Sequence, residues 1–398
     1  MIVALAWRNL WRYKRRTFLS AIAIAATCAL TIFLPSLQAG SYQAMVSASL
    51  GVLDGYLQIQ HPEYLDKPAM RNSFVPPASV VRALEAGNVT TAARASGFAL
   101  LTSPERSVGV QVVGVEPEKE VSVSTVPGNI VTGRYLQQNN EIVLGSALAR
   151  NLRQQIGDQV TLLGTGRDGS LAVDSLKVVG FFETGFPALD RQLAEINLSR
   201  FNTTFSMEGQ RHGLILQSAS EINRADLQPL IESEGLAFRD WKQLQPGLLH
   251  AIKLDISSAV MMYVILILVI CFSLMNAMLM SVLERSREFG MVMALGVRPM
   301  ILGRILWLEN LMITLLGIMA GLVIGAVVTL YYQSAGIHFS GAEEVFARYG
   351  LSSTIYPELS ALTLLSGPVI IAVVLVIAGF YPVWRVSRLN LLDAMRAI

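Results

Sequence analysis

The chain has 398 residues, of which 53% are hydrophobic and only 15% are charged. Together with a mean hydropathy of +0.49, this composition argues against a string of soluble domains and predicts a membrane protein. The net charge of +2 is an average over two unlike faces of the molecule, and we expect no nucleic-acid partner.

Four long runs of the sequence contain no Asp, Glu, Lys or Arg. A helix needs about 20 apolar residues to cross the hydrocarbon core of a bilayer, and each run is longer than that. We therefore predict four membrane-spanning helices, at 17–39, 256–283, 310–332 and 361–384. The first could instead be a secretory signal peptide, but its apolar run exceeds the usual length of about 7–15 residues.

Lysine and arginine are distributed unequally around these spans. Basic residues cluster before the first span, between the second and third, and after the fourth, whereas the link 333–360 has only Arg348. The positive-inside rule therefore predicts that the segment 284–309, the tail 385–398 and both termini are cytoplasmic. By alternation, residues 40–255 lie on the opposite side of the membrane.

The first 16 residues predict an amphipathic helix in the membrane interface. Apolar and basic residues take opposite faces at helical spacing: Val3, Trp7, Leu10 and Trp11 against Arg8, Arg12 and Lys14. Tryptophan on the apolar face is typical of a helix at headgroup depth.

Residues 40–255 are interpreted as a large mixed α/β domain inserted between the first and second spans. Short β-rich runs occur at 56–60, 108–115, 159–163, 176–182 and 213–216, and helical patterns occur at 77–86, 143–154 and 221–234. We expect two subdomains, with the chain leaving the first near residue 105 and returning near residue 205. Both cysteines, Cys28 and Cys271, fall inside predicted spans, so this region has no disulfide.

No pattern indicates a catalytic, cofactor or metal site. The four histidines are scattered, and the glycine-rich stretch 164–170 lacks the lysine of a phosphate-binding loop. The centres of the spans lack ionisable residues, which argues against an ion-coupled transporter. Polar Ser273 and Asn276 keep that alternative open.

The segment Leu283–Gly296 contains the densest charge in the apolar part of the chain. It predicts a short helix that ends at Gly296, with Phe289, Val292 and Met293 on one face. Anchoring by positive charge explains Arg285 and Arg287, but it does not explain the glutamates or the apolar face. We therefore expect this amphipathic helix to dock in a groove of another protein.

Four segments together resemble the FtsX-like permeases of ABC transporters, a family that includes the macrolide exporter MacB and the lipoprotein-releasing permeases. They are Glu284-Arg285-Ser286-Arg287-Glu288-Phe289-Gly290 with Ala294-Leu295-Gly296 and Glu309; Trp7-Arg8-Asn9-Leu10 with Arg15-Arg16-Thr17; Glu141-Ile142-Val143-Leu144-Gly145 with Ile156-Gly157-Asp158-Gln159-Val160; and Tyr381-Pro382-Val383-Trp384-Arg385 with Ala394-Met395-Arg396. Each motif is weak alone, but their order is specific and covers nearly the whole chain.

The resemblance implies a bacterial inner-membrane permease with a periplasmic core domain. Two permease subunits, identical or paralogous, would work with two cytoplasmic ABC ATPase subunits, which carry the ATP and Mg²⁺; this chain would hold no cofactor and would not itself be an enzyme. Because only 16 residues precede the first span, we expect the ATPase to be a separate polypeptide. The implied ATPase-coupling residues are Glu284, Arg285, Arg287, Glu288, Phe289, Gly290, Met293, Ala294, Leu295 and Gly296.

The implied mechanism is mechanotransmission, in which ATP-driven closure of the ATPase pair moves the periplasmic domain through the first two spans. The leading cargo is a lipoprotein or another amphipathic molecule extracted from the membrane. The alternatives are efflux of peptides, antibiotics or small toxic molecules with a periplasmic adaptor, and a signalling scaffold that regulates a periplasmic hydrolase. A candidate cargo-contact face, which could equally be an ordinary helix-packing face, comprises Phe33, Leu34, Leu37, Met261, Met262 and Ile265. Membrane lipids are a further expected partner.

Overall fold

The computed structural model describes residues 2–216, 224–341, 346 and 353–387, although not the side chains at positions 2, 16, 225, 226, 277, 281, 286, 287, 382 and 385–387. Residues 388–398 of the predicted tail and the start of the helix predicted at 221–234 lie outside the described residues. The chain divides into two compact units. One comprises residues 1–43, 252–338 and 354–398, and we call it the membrane unit; the other comprises 44–251 and 339–353, and we call it the α/β unit.

The described helices, numbered in chain order, are α1 (Ile2–Arg12), α2 (Lys14–Ser49), α3 (Ala78–Ala86), α4 (Pro117–Val123), α5 (Ser146–Leu152), α6 (Pro187–Asp190), α7 (Leu198–Thr204), α8 (Arg224–Ser233), α9 (Trp241–Leu244), α10 (Pro246–Glu284), α11 (Ser286–Ala294), α12 (Pro299–Ala335), α13 (Ala361–Ala378) and α14 (Phe380–Ser387). A π-helical turn, Leu50–Asp54, follows α2, and a short 3-10 helix occupies Val126–Asn129. The strands are β1 (Leu57–Gln60), β2 (Thr91–Thr102), β3 (Ser107–Val115), β4 (Ile130–Gly133), β5 (Glu141–Gly145), β6 (Gln159–Thr165), β7 (Leu171–Phe182), β8 (Leu193–Asn197), β9 (Gly213–Leu216), β10 (Ala237–Asp240), β11 (Ile337–His338) and β12 (Thr354–Ile355).

Within the described residues, four helices are long and apolar enough to cross a membrane, and each contains one of the predicted spans or most of it. Their bounds differ from the prediction in one instructive place. Helix α12 begins at Pro299, so residues 299–309, which we assigned to a cytoplasmic link, form its first three turns. The connection between α11 and α12 is therefore only 295–298, and α11 is held close to the start of α12.

Helix α12 packs against α2 through glycines spaced four residues apart. A Cβ atom on Gly321 would lie 2.6 Å from the carbonyl oxygen of Ala25, and one on Gly317 would lie 2.6 Å from Cβ of Ile24. Gly325 makes the same kind of close approach to Ala29. Spacing of four residues puts all three glycines on one helix face, where small residues let two backbones approach in a membrane.

The α/β unit is built on one ten-stranded sheet. The strand order is β10-β1-β9-β2-β3-β8-β5-β7-β4, and β6 pairs with both β2 and β7. The pairs β3–β8 and β5–β7 are parallel, and the other pairings are antiparallel. The buried clusters of apolar side chains in this unit include a large one around Phe201, a smaller one around Phe182 and a third of Ala92, Val123 and Ile215.

The continuous sheet corrects our prediction of two subdomains. Strand β2, which ends before residue 105, pairs with β9, which follows residue 205, and with β3, which lies between them. Residues 44–251 consequently form one compact unit. The helix predicted at 143–154 is also shorter than expected, because residues up to Gly145 belong to the buried strand β5 and α5 begins only at Ser146.

A carboxyl group is buried in the middle of this sheet. Glu195 on β8 is fully buried; its Oε2 accepts a 2.7 Å hydrogen bond from the Tyr135 hydroxyl, and its Oε1 has no partner among the described residues. Burial, followed by the negative charge of Glu120, raises the pKa of Glu195 to about 8. The folded domain therefore favours the protonated, neutral form of Glu195.

We predict that Glu195 makes the α/β unit less stable as the pH rises. The unfolded chain releases this proton near pH 4.5 and the folded chain holds it to about pH 8, so the contribution is fully present below pH 4.5 and lost as the pH passes 8. Glu195→Gln removes this titration. Between pH 5 and 8 the free energy of unfolding of the detergent-purified chain should fall by roughly a few kcal/mol, which is measured as a falling thermal midpoint. The variant should show a smaller fall over the same pH range.

Glu141→Gln is the matched control for this prediction. A hydrogen bond from Arg134 lowers the pKa of Glu141 to about 2, so this carboxylate stays ionised throughout the tested range. Its loss should lower the midpoint equally at every pH. An unchanged pH slope in Glu195→Gln would contradict the assignment of the slope to Glu195.

Candidate functional site

Five polar side chains from α1, α11, α12 and the turn between α10 and α11 meet at one end of the membrane unit, and we call them the charged cluster. They are Asn9, Arg12, Arg285, Glu288 and Glu309. The sequence interval between its first and last members is 300 residues, so the cluster joins remote parts of the chain.

Glu309 is the centre of the charged cluster. Its Oε1 accepts a 2.6 Å hydrogen bond from Asn9 Nδ2, and its Oε2 lies 3.5 Å from Arg285 Nη1. Arg285 Nε lies 3.4 Å from Glu288 Oε2, and Glu288 Oε1 lies 3.4 Å from Arg12 Nη2. Because Glu309 is only 4% exposed and Arg285 only 7%, their pair is shielded from water. The Arg12–Glu288 pair is exposed.

Arg285 is also enclosed by two aromatic rings. Its guanidinium carbon lies 5.3 Å from the ring centroid of Tyr13 and 5.3 Å from that of Phe289. A planar guanidinium can stack on rings and bond carboxylates at its edge at the same time, which an ammonium cannot do as well. Arg285 further accepts a 3.0 Å hydrogen bond from Phe289 N through its carbonyl oxygen, which helps start α11.

The apolar face of α11 is turned toward this chain's own helices. Phe289 is 6% exposed and packs in a buried cluster with Val282, Leu302 and Leu306, and Val292 and Met293 pack against the same cluster. Our expectation that this face docks in another protein is therefore wrong. The face is used to hold α11 on the end of α10 and the start of α12.

The outward surface of α11 is instead its C-terminal end. Met291 is 56% exposed and Leu295 is 85% exposed, and Ala294 and Gly296 are exposed beside them. Gly296 adopts a φ of +89° and its N–H bonds the Met293 carbonyl at 2.9 Å, so the predicted left-handed end of the helix is confirmed. We call Met291, Ala294, Leu295 and Gly296 the exposed tip.

The ten predicted coupling residues therefore divide between two roles. Arg285, Phe289 and Gly290 are buried, and Glu288 and Met293 are partly buried, whereas Glu284 is exposed like the tip; the Arg287 side chain lies outside the described residues. Sequence reasoning missed Asn9 as a partner of Glu309 and Met291 as part of the tip. Met291 stands two residues from Phe289, which at 3.6 residues per turn already puts it on the opposite face.

The six predicted cargo-contact residues are not one uniform face. Met261, Met262 and Ile265 on α10 are exposed, whereas Leu34 and Leu37 on α2 are half-buried. Phe33 packs edge-on against Tyr332 of α12, with ring centroids 5.9 Å apart.

A polar group near these residues holds α2 beside α10, and no pattern in the sequence indicated it. Gln38 Nε2 donates a 2.8 Å bond to Asp255 Oδ2, and the Tyr42 hydroxyl donates a 2.6 Å bond to the same oxygen. The Tyr263 hydroxyl lies 3.4 Å from Gln38 Oε1. Asp255 and Tyr263 lie on either side of the exposed methionines along α10, so these bonds hold that part of α10 beside α2.

In the part of the chain that the structure describes, no three His, Cys, Asp or Glu side chains come together as metal ligands. The charged cluster has positive and negative partners in contact, and it joins the last turns of α1, the start of α11 and the third turn of α12. These contacts hold α1, α11 and α12 against one another.

Comparison with known proteins places this architecture in a family. The model of the MacB-like periplasmic core domain matches residues 17–233, more than half of the chain, and the model of the FtsX-like permease C-terminal matches residues 260–391. The chain therefore belongs to the FtsX-like, MacB-type family of ABC transporter permeases. It is an ABC transporter permease subunit and a multi-pass inner-membrane protein.

Three curated relatives illustrate the range of the family. The chain is 24% identical over 330 residues to the lipoprotein-releasing system transmembrane protein LolC of Neisseria meningitidis, covering 78% of each chain. It is 26% identical over 312 residues to LolE of Haemophilus influenzae, covering 73% of each. A macrolide export ATP-binding/permease protein MacB of Syntrophobacter fumaroxidans is 29% identical over 182 residues, which is 42% of this chain and 23% of that protein.

We predict that Arg285→Met loosens α11. The substitution removes the arginine partner of the buried Glu309 carboxylate and leaves its hydrogen bond from Asn9, and removing one partner of a buried ion pair costs about 3–5 kcal/mol. The amides of Ser286–Ala294 should exchange with deuterium much faster in the detergent-purified variant, as measured by mass spectrometry.

Arg12→Gln is the matched control, because its pair with Glu288 is exposed and worth at most about 1 kcal/mol. Adding Glu309→Gln to Arg285→Met should restore part of the protection, since the remaining carboxylate charge is then removed. Exchange in Arg285→Met no faster than in Arg12→Gln would contradict the structural role of the buried pair.

Proposed function

We propose that this chain is the membrane subunit on which a separate cytoplasmic ABC ATPase pair acts, and that the resulting motion extracts lipoproteins or similar amphipathic cargo from the inner membrane. The proposal rests on one observation: α11 has an exposed tip at its C-terminal end, while its N-terminal end is bonded to the buried charged cluster. In this proposal both termini and the tip are cytoplasmic, and the α/β unit is periplasmic.

The exposed tip has the chemistry of a docking surface. It ends in Leu295, an apolar side chain that is 85% exposed, next to exposed Met291. An apolar helix end that inserts in a groove gains from burial, and methionine adapts to an irregular groove wall. Arginine counts around the spans support a cytoplasmic position, which is where an ATPase would be.

The charged cluster attaches the docked helix α11 rigidly to the rest of the membrane unit. Arg285 is the single residue between α10 and α11, and it is bonded to Glu309 of α12. A displacement of α11 is thus delivered to α10 and α12 and is not absorbed in a flexible loop. Asn9 of α1 also bonds Glu309, so α1 is attached to the same cluster.

Helix α10, which adjoins the cluster, and helix α2, which follows α1 in the chain, are both long enough to carry motion across the membrane. With a rise of 1.5 Å per residue, the 36 residues of α2 and the 39 of α10 span about 54 and 58 Å. The hydrocarbon core is only about 30 Å thick. Both helices lead along the chain directly into the α/β unit, so ATP-driven movement at the tip can act on the proposed periplasmic side.

We predict that Leu295→Glu prevents coupling to the ATPase. The side chain is exposed, so the permease should fold and insert normally, while a buried carboxylate at the interface would weaken docking by several kcal/mol. The measurement is ATPase activity of the transporter in proteoliposomes, in which the permease is co-reconstituted with the ABC ATPase that co-purifies with it. Val121→Glu, a substitution at an exposed apolar residue of the α/β unit, is the matched control.

Full stimulation of the ATPase by the Leu295→Glu permease would contradict the proposal that the ATPase docks on the exposed tip. Loss of stimulation in both variants would point to a general defect and would count equally against it.

For the cargo, the relatives' names and one surface favour lipoproteins over efflux substrates. The two lipoprotein-releasing relatives align over about three quarters of this chain, whereas the macrolide-export relative aligns over 42%. Met261, Met262 and Ile265 present an uncovered apolar strip on α10, next to the polar group around Asp255. The acyl chain of a lipoprotein could lie on this apolar strip, and the polar group to which the chain is attached could lie beside Asp255.

We predict that a photo-crosslinker at position 262 captures an acylated lipoprotein in the working transporter. The control is the same crosslinker in place of Met319, which is 60% exposed on α12, away from the candidate cargo-contact residues. Adducts would be identified by mass spectrometry. Capture of phospholipid alone at position 262, or of lipoprotein equally at position 319, would overturn the cargo assignment and leave the ATPase docking untouched.

A further inference from the structure

A groove with an apolar floor lies beside the interfacial helix. It has a volume of about 520 Å³, within the roughly 300–1,000 Å³ of small-molecule sites, and is lined by α1, the first two turns of α2 and one residue of α12. Trp7, Trp11, Phe18 and Leu316 supply most of its apolar wall, and all four side chains are themselves exposed. Nothing in the charged cluster or the exposed tip requires this groove.

The groove keeps its shape because the chain turns sharply between α1 and α2. Thr17 Oγ1 donates a 3.0 Å hydrogen bond to the Leu10 carbonyl oxygen across that turn. Leu10 is 4% exposed and belongs to the buried core of the membrane unit. The rings of Trp7 and Trp11 meet edge to face with centroids 6.0 Å apart. These contacts make a preformed concave site and not a flat lipid-facing surface.

Two cations line the same groove. Lys14 and Arg15 are exposed at its wall, two and three residues after Arg12. Arg12 is paired with Glu288, but no ion pair among the described residues involves Lys14 or Arg15. The groove therefore presents an apolar wall and unneutralised positive charge together.

We propose that this groove binds one anionic glycerophospholipid of the membrane. One of its two acyl chains lies along the tryptophans and Phe18, and the phosphate lies on Lys14 and Arg15. Charge complementarity selects the occupant: a zwitterionic lipid carries its own cation and would gain less from the two basic side chains. Tryptophan at the boundary between apolar and charged surface agrees with a headgroup at this level.

The test uses fluorescence quenching by lipids with brominated acyl chains. The full chain is reconstituted in phosphatidylcholine vesicles that contain a minor fraction of brominated phosphatidylglycerol or, in parallel, of brominated phosphatidylcholine. Each basic residue near an anionic lipid raises affinity about fivefold, so two predict roughly a thirtyfold preference for phosphatidylglycerol. Quenching by the anionic lipid should therefore saturate at a far lower mole fraction.

Two variants assign that preference to the groove. Lys14→Gln with Arg15→Gln should bring the two lipids to equal quenching, and Trp7→Phe with Trp11→Phe should remove the high-affinity component, leaving the other three of the five tryptophans. The matched control is Arg8→Gln with Arg304→Gln, which removes two exposed cations that do not line the groove. It should keep the full preference.

Three outcomes would overturn the proposal. Equal quenching by the two lipids in the unmodified chain would mean that the groove holds ordinary boundary lipid. Loss of preference in the Arg8 and Arg304 control would mean that net charge alone recruits the lipid. Persistence of the high-affinity component without Trp7 and Trp11 would place the lipid elsewhere. Circular dichroism of each reconstituted variant checks that the helices are retained, so that loss of preference is scored only in folded protein.

Discussion

The buried pair between Arg285 and Glu309 is the interaction on which the membrane unit's organisation depends. Two charges taken out of water lose several kcal/mol of hydration each, and their attraction repays this only when the remaining bonding positions are filled. Asn9 fills one on the carboxylate, Glu288 fills one on the guanidinium, and two rings cover the arginine's faces. Satisfying one ion pair thus fixes α1, α11 and α12 relative to one another.

That constraint explains why α11 has two kinds of apolar residue. Phe289 and its neighbours are buried against α10 and α12 and attach the helix to its own chain, as the proposed transmission of a displacement requires. Leu295 is 85% exposed and is therefore free for the docking that we propose. Within the nine residues of α11, Met291 lies on the face opposite Phe289, and the exposed Leu295 and Gly296 directly follow the last helical residue.

Features that depend on a few neighbouring residues could be predicted from the sequence. Features that depend on which remote element a helix face or strand contacts could not. Charge-free runs define spans, and glycine at position 296 defines a left-handed helix end whatever surrounds it. Helical periodicity groups Phe289 with Met293, but it cannot say which body that face contacts. Strand β2 was missed because its sequence is rich in alanine and has β-branched residues only at its two ends, Thr91 and Thr102. Strand β2 forms because it pairs with β3, which follows a short turn, and with β9, which is remote in sequence.

The interfacial helix connects the proposed lipid site to the proposed ATPase site without a separate conformational switch. Trp7 and Trp11 of α1 line the groove, while Asn9 and Arg12 of the same helix bond the charged cluster. A lipid that binds only when α1 is seated stabilises that seating by mass action, and hence stabilises the cluster under the tip. Linkage makes the effect reciprocal: an ATPase that grips α11 more firmly when α1 is seated must also tighten lipid binding by the same factor.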